Sequence, residues 1–232
     1  MEGDLTSILG EWAFDPERLN VRFLELEGDR TVIQVRVELG ILQMERDGRP
    51  DGGEDRLEVL EARLVGEPDL EIDAEMAAEL RAEAVQIHQR YVALLSLEAY
   101  ELVVRDTTRN LRVFELCREK ATEETDRGVL EQFRPQVLAT RARAAALAAL
   151  RDDQVGHARR ILDAAVSEIR GDLAEDAPEP PEIAMLEGMR DVLQPQLPSS
   201  ERYELEGRLQ AALSAENYEL AAILRDELRQ LP

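Results

Sequence analysis

Arg105, Arg109 and Arg112 stand at i, i+4 and i+7, a spacing that lines three guanidinium groups along one face of a helix. Such a stripe can hold an anion or an acidic partner. It can equally be a solvated face with local pairing, because Glu101 precedes Arg105 by four residues and Glu115 follows Arg112 by three. Few other residues offer chemistry. His88 and His157 are far apart, and neither sits in H-x-x-x-H, H-E-x-x-H or E-x-x-H spacing, so each reads as a helix-surface or satisfied core histidine. Cys117 is the only cysteine and lies near the end of an apolar helical face, where it reads as a small core residue. The acid pairs Asp152-Asp153 and Glu123-Glu124 lack an opposing carboxylate for an acid/base dyad and read as cap and surface residues. The 13 glycines cluster in turns and form no phosphate loop or dinucleotide fingerprint. No catalytic residue, metal ligand or cofactor is expected.

The elements that position these residues are mostly helical. Of 232 residues 44% are hydrophobic, enough for a proper core, and aromatics at 4% beside abundant Leu and Ala point to helix packing. A lone cysteine allows no intramolecular disulfide and suits a reducing compartment. The Met1-Glu2-Gly3-Asp4 start lacks a signal-peptide pattern, and the longest apolar run, Ala144–Leu150, is too short to span a bilayer, so a soluble cytoplasmic protein is expected with no membrane partner. The net charge is −22, half of it within residues 1–72. That field opposes a phosphate backbone, so direct nucleic-acid binding is disfavoured and a protein partner favoured.

The N-terminal residues differ in texture from the rest and read as β-rich. Leu19–Glu27 alternates partly, Gly28-Asp29-Arg30 turns, and Thr31–Leu39 is rich in Val, Ile and Thr, which predicts a β-hairpin. Gly40 marks a bulge or bend before Ile41–Glu45, and Asp47–Gly53 is a loop. Trp12 and Phe14 are the anchors expected to pack this small sheet, which needs cover on one face from the helices downstream. From Arg56 the period is helical. Leu57, Leu60 and Leu64 give a short helix ending near Gly66-Glu67-Pro68. Asp73 caps a long helix through Leu80, Ile87 and Tyr91, and a break near Ser96-Leu97-Glu98 leads into a second through Leu111 and Phe114. A third helical region, Val129–Leu150, should kink or restart at Pro135, and Asp152-Asp153 should open a fourth that stops at Gly171. Asp172–Pro181 is an acidic, proline-rich linker, Ile183–Leu193 a short helix, and Gln194–Ser200 a second linker. Four parts result: a β-rich subdomain (1–53), a helical body (54–171), a linker with a short helix (172–198) and a closing helical hairpin (199–232).

The body helices resemble tetratricopeptide hairpins. Glu98-Ala99-Tyr100-Glu101 before Val103 echoes that repeat's inter-helix turn, and Ala142, Ala146, Ala158 and Ala165 echo its small-residue positions in a second unit. The two units lie about 55 residues apart rather than about 34, so a regular array is excluded and an ordinary helical bundle stays open. Either gives a surface suited to protein binding.

Within 199–232, Leu205, Leu209, Ala212 and Leu213 share one helix face, and Tyr218, Ala221, Ala222, Leu224, Leu228 and Leu231 form a second stripe. Ser214–Asn217 is the break between them, and so short a connection makes the helices antiparallel. Tyr218-Glu219, Ala221-Ala222 and Leu224-Arg225-Asp226, with Leu205 and Leu209 upstream, resemble the UVR motif, the helical hairpin of the excision-repair proteins UvrB and UvrC and of bacterial stress adaptors. Glu216 stands where many members carry Leu. The resemblance implies docking onto a helical partner through Leu205, Leu209, Ala212, Leu213, Tyr218, Glu219, Ala221, Ala222, Leu224, Arg225, Asp226 and Leu228. The nuclease, helicase and zinc-binding C-x-x-C motifs of its relatives are absent. The expectation is a non-enzymatic adaptor serving DNA repair or stress and proteolysis control. The alternatives are a nucleic-acid-associated factor using the Arg105 stripe and a structural homo-oligomer.

Overall fold

Three strands give way to a succession of helices at the point where the apolar period changes from two to 3.6. The computed structural model describes residues 6–174, 177–193, 208–210, 220 and 224–225. The order is α1 (Thr6–Glu11), β1 (Asn20–Glu25), β2 (Thr31–Val37), β3 (Gly40–Glu45), α2 (Arg56–Gly66), α3 (Ala74–Ser96), α4 (Tyr100–Lys120), α5 (Glu124–Gly128), a 3₁₀ turn (Glu131–Phe133), α6 (Arg134–Arg151), α7 (Val155–Gly171) and α8 (Pro181–Val192). The protein is mainly α with a small N-terminal sheet. Among the described residues no helix is long and apolar enough to cross a membrane. The chain forms two compact units, residues 1–190 and 191–232.

The sheet is antiparallel in the order β1-β2-β3, with Phe23, Ile33 and Met44 aligned across it and Val21, Val35 and Leu42 beside them. Alternation puts both sets on one face, where Ile33, Val35 and Met44 join Ile87, Tyr91, Leu94 and Val103 in a single core. On the other face Arg22, Gln34 and Gln43 are aligned and bonded in series: Arg22 Nε donates to Gln34 Oε1 at 2.9 Å, and Gln34 Nε2 to Gln43 Oε1 at 2.9 Å. Gly40 is therefore the first residue of a third strand and not a bulge; the chain reverses at Glu38-Leu39. Trp12 anchors this outer face through its ring, 4.2 Å from the Arg22 guanidinium, whereas Phe14 stays exposed.

Asp55 and Asp73 start α2 and α3, each side chain accepting the backbone N–H three residues on. Pro135 falls in the first turn of α6, where its missing N–H costs nothing, so the helix restarts there without a kink. The α3–α4 and α6–α7 connections are built alike. Ala99 N–H reaches back to Leu94 C=O (3.0 Å) and Gln154 N–H to Ala149 C=O (2.8 Å), each across a residue at positive φ, Glu98 and Asp153. Asp152-Asp153 therefore closes α6 and does not open α7, whose cap position is Gln154. Ala142 and Ala146 of α6 and Ala158 and Ala165 of α7 are all buried, and the two helices pack together. At the far end Ile72 and Ala121 form a parallel bridge that ties the approach to α3 to the exit from α4. Segment 172–198 is only partly a linker: α8 buries Ile183 and Leu186, and its Glu187 and Arg190 pair with Arg170 and Asp163 of α7.

A buried ionic cluster joins these layers. Arg90 (α3) and Asp106 (α4), with side chains 2% and 1% exposed, form a bidentate pair at 2.7 and 2.8 Å. The remaining Arg90 donor, Nη1, binds the carbonyls of Glu45 (3.1 Å) and Gly48 (2.6 Å), which fixes the loop after β3. Removing one partner leaves a buried charge uncompensated. Asp106→Ala is expected to cost about 3–5 kcal/mol in urea unfolding, and the apolar pair Arg90→Met with Asp106→Leu clearly less. At the exposed Glu98, glycine removes the steric penalty of positive φ, so Glu98→Gly should raise stability by about 0.5–1 kcal/mol in the same assay.

Candidate functional site

Residues 85, 88 and 91 recur at helical spacing on α3, as do 110 and 114 on α4, so Val85, His88 and Tyr91 face the same gap as Asn110 and Phe114. Val137 of α6 lines it from a third side. A fourth wall comes from the connection before α6, where Leu130 and Phe133, three residues apart, project together off the 3₁₀ turn. The partly open pocket has a volume of about 290 Å³ and a mainly apolar lining. Val85, Val129 and Phe133 form an exposed apolar rim.

Its polar groups are neutral or neutralised. His88 Nδ1 and Tyr91 Oη are 2.6 Å apart, with their rings edge to face. Burial holds the imidazole below its usual range, and burial together with the nearby Asp106 carboxylate pushes the Tyr91 phenol up to about 12. Arg81, at the edge, is paired with Asp126. Asn110 is 2% exposed; its Nδ2 donates to Ala84 C=O at 3.0 Å, and its Oδ1 has no partner among the described residues. An orphaned acceptor of this kind is rare in folded proteins. Cys117 is fully buried with its thiol pushed up to about 11 by burial, so it is a protonated core group and not a nucleophile.

The arginine stripe lies over an open depression of about 360 Å³ that it shares with Asp55, Glu58 and Glu61. All three guanidinium groups are paired. Arg105 binds Asp47 (2.6 Å), Asp106 (2.9 Å) and the Arg46 carbonyl (2.6 Å). Arg109 forms a fork with Asp55 (3.1 and 2.7 Å) and also meets Glu83. Arg112 pairs with Glu61 (2.9 Å) and Glu115 (2.6 Å). Glu101, the neighbour expected for Arg105, instead pairs with Arg151. The carboxyl of Asp55, which burial would raise, is held below the usual range by Arg109 and the N–H groups of α2. The stripe is thus committed to internal ion pairs; an incoming anion must displace carboxylates that are already in place.

Of the hairpin residues, Leu209 is half-buried on the helical segment 208–210, Leu224 is helical and 1% exposed, and Arg225 is helical and exposed. Leu205, Ala212, Leu213, Tyr218, Glu219, Ala221, Ala222, Asp226 and Leu228 lie outside the described residues. Among the described residues no group of three or more His, Cys, Asp or Glu could hold a metal ion. No family model matches the chain, and no curated protein or solved structure matches it either.

The pocket went unseen in the sequence because its walls come from four separate elements. The available signal was weak: His88 and Tyr91 at three-residue spacing, and Phe133 just before Pro135. The low pKa of His88 has a measurable consequence. The unfolded chain takes up a proton first, at the ordinary value of 6.5, while the folded chain resists until a lower pH. Stability should therefore fall as pH drops from about 7.5 to about 5.5, and His88→Gln should flatten that slope in urea titrations.

Proposed function

We propose that this chain is a non-enzymatic cytoplasmic adaptor that docks a protein partner through a UVR-like hairpin in residues 199–232. The observation that carries the reading is the contrast among leucines of this segment. Leu209 and Leu224 belong to the two apolar stripes and are half-buried and 1% exposed respectively, while Leu220, which belongs to neither, is 39% exposed. Burial of one residue from each stripe beside an exposed Leu220 supports the reading of helices packed through apolar stripes, and paired helices of that kind can recognise a further helix. The polar edge at Arg225-Asp226 would set register against charges on the partner. DNA repair and stress or proteolysis control are the settings that the resemblance suggests.

The pairing of Arg105, Arg109 and Arg112 with carboxylates supports a protein partner over nucleic acid, since counterion release needs free cationic groups. Homo-oligomerisation through the hairpin is separated from recruitment by light scattering on the chain with and without residues 199–232. For the adaptor itself, Tyr218→Ala or Leu209→Asp is expected to abolish partner capture from the native cell while the circular dichroism of the helical body is unchanged. Retention of the same partner by both variants would sink the proposal.

A further inference from the structure

Opposite the face it buries in the core, α3 turns a second apolar surface to solvent. Ala74, Ala78, Ala82, Val85, Gln89 and Val92 recur at spacings of three or four residues, and all are exposed, Val85 by 57% and Val92 by 39%. Residues so spaced share one narrow side of a helix, the pattern of a seam that meets a second helix. Val129 and Phe133, 38% and 46% exposed, widen the surface beside Val85, with which they line the pocket. We propose that this face is an interface between two copies of the chain, in which each α3 lies antiparallel to the other about a two-fold axis at Val85.

Charge identifies the occupant. The chain has a net charge of −22 and 34% of its residues are charged, yet α3 exposes no unpaired charge from Leu80 to Ser96. The charged residues of that stretch are Arg81, Glu83 and Arg90, and each is held in an internal pair: Arg81 with Asp126, Glu83 with Arg109 and Arg90 with Asp106. Gln86 has no charge, and burial holds the His88 imidazole below its usual range, so both flanking groups are uncharged at neutral pH. A basic partner finds no free carboxylate here, and an acidic one is repelled by the chain as a whole. Two copies of so acidic a protein can meet only through a face that exposes no carboxylate, because like charges set opposite each other across an interface are strongly unfavourable.

The stripe is also its own complement, as a two-fold contact requires. Antiparallel pairing centred on Val85 sets Ala82 opposite Gln89 of the second copy, Ala78 opposite Val92 and Ala74 opposite Ser96. A small residue faces a larger one at each step, and the helix macrodipoles oppose favourably. At about 1.5 Å per residue the seam runs about 33 Å, long enough, with the Val129 and Phe133 ridge, for an interface at the small end of stable ones.

The test uses the full chain in sedimentation equilibrium. A dimer is expected at micromolar concentration. Its seam holds no ion pair, so added salt should tighten it by screening the net charge. Val85→Glu, at an exposed position, should weaken it at least about 10-fold with circular dichroism unchanged, since two carboxylates then meet at the axis. Leu209→Asp should leave it intact, which separates this interface from the hairpin docking proposed above. Cross-linking reads the register. Cys117 is fully buried, so a single introduced cysteine is the accessible thiol. With a short bis-maleimide, Val85→Cys should link to itself, whereas Val92→Cys should link only when mixed with Ala78→Cys. The inference is overturned if the chain is monomeric up to about 0.5 mM, if Val85→Glu leaves the dimer unchanged, or if Leu209→Asp dissolves it. It is overturned too if Val92→Cys links to itself, the mark of a parallel pair, or if a foreign protein released by Val85→Glu occupies this face of a monomeric chain.

Discussion

Arg90 carries a permanent charge into a position where its side chain is only 2% exposed, and the structure around it is arranged to offset that desolvation. Asp106 takes two of its donors, and the carbonyls of Glu45 and Gly48 share the third nitrogen. Those acceptors belong to α4, the end of β3 and the loop beyond it. One guanidinium therefore ties together α3, α4, the end of β3 and the loop that follows it. The next residue, Tyr91, has its phenol among apolar groups and bonds His88 at the pocket. The position of that wall thus depends on the same helix placement.

The arginine stripe extends this arrangement along α4. Arg105 holds the Asp47 end of the loop, Arg109 its Asp55 end where α2 begins, and Arg112 the next turn of α2 through Glu61. Glu83, at 1% exposure, gathers Arg109, Arg56 and Arg49 from three elements. The acids concentrated in residues 1–72 thus meet their cations on helices far along the chain. Segregated charge in the sequence becomes neutral contact in the fold. Salt screens the outer pairs, such as Arg112 with Glu61, far more than Arg90 with Asp106, so the helix pair is secured more firmly than the loop over it.

Much of the fold was legible because it rests on local chemistry. Asp73 had only to accept the N–H of Met76, and Pro135 only to fall in a first turn, for both helix starts to be read correctly. The Val, Ile and Thr enrichment of Thr31–Leu39 likewise marked the strand that carries Ile33 and Val35. Asp152-Asp153 misled because an aspartate pair before an apolar period looks like a cap, while the backbone bond from Gln154 to Ala149 had already claimed those residues for the end of α6. The stripe was visible as a spacing, but its partners were not. Asp47, Asp55 and Glu61 lie some fifty residues from the arginines they neutralise, and nothing in a helical period reports a contact of that range.

The pocket was hidden for a related reason, and the cause lies in the repeat-like character of the body. The turns at Glu98 and Asp153 share one hydrogen-bond scheme, so α3–α4 and α6–α7 are two versions of a single hairpin. In a regular array of about 34 residues per unit the second hairpin would stack directly on the first. Here residues 121–133 intervene, folded as α5 and a 3₁₀ turn. They are too short to form another long helix, yet they bring Leu130 and Phe133 to the groove between α3 and α6. A groove between two hairpins is open to solvent along its length; the inserted connection walls one side and turns it into a pocket. Asn110 of α4, bonded to the Ala84 carbonyl of α3, lines the same space. The departure from repeat spacing that denied the chain a regular solenoid is thus the feature that gives its body a pocket walled from four sides.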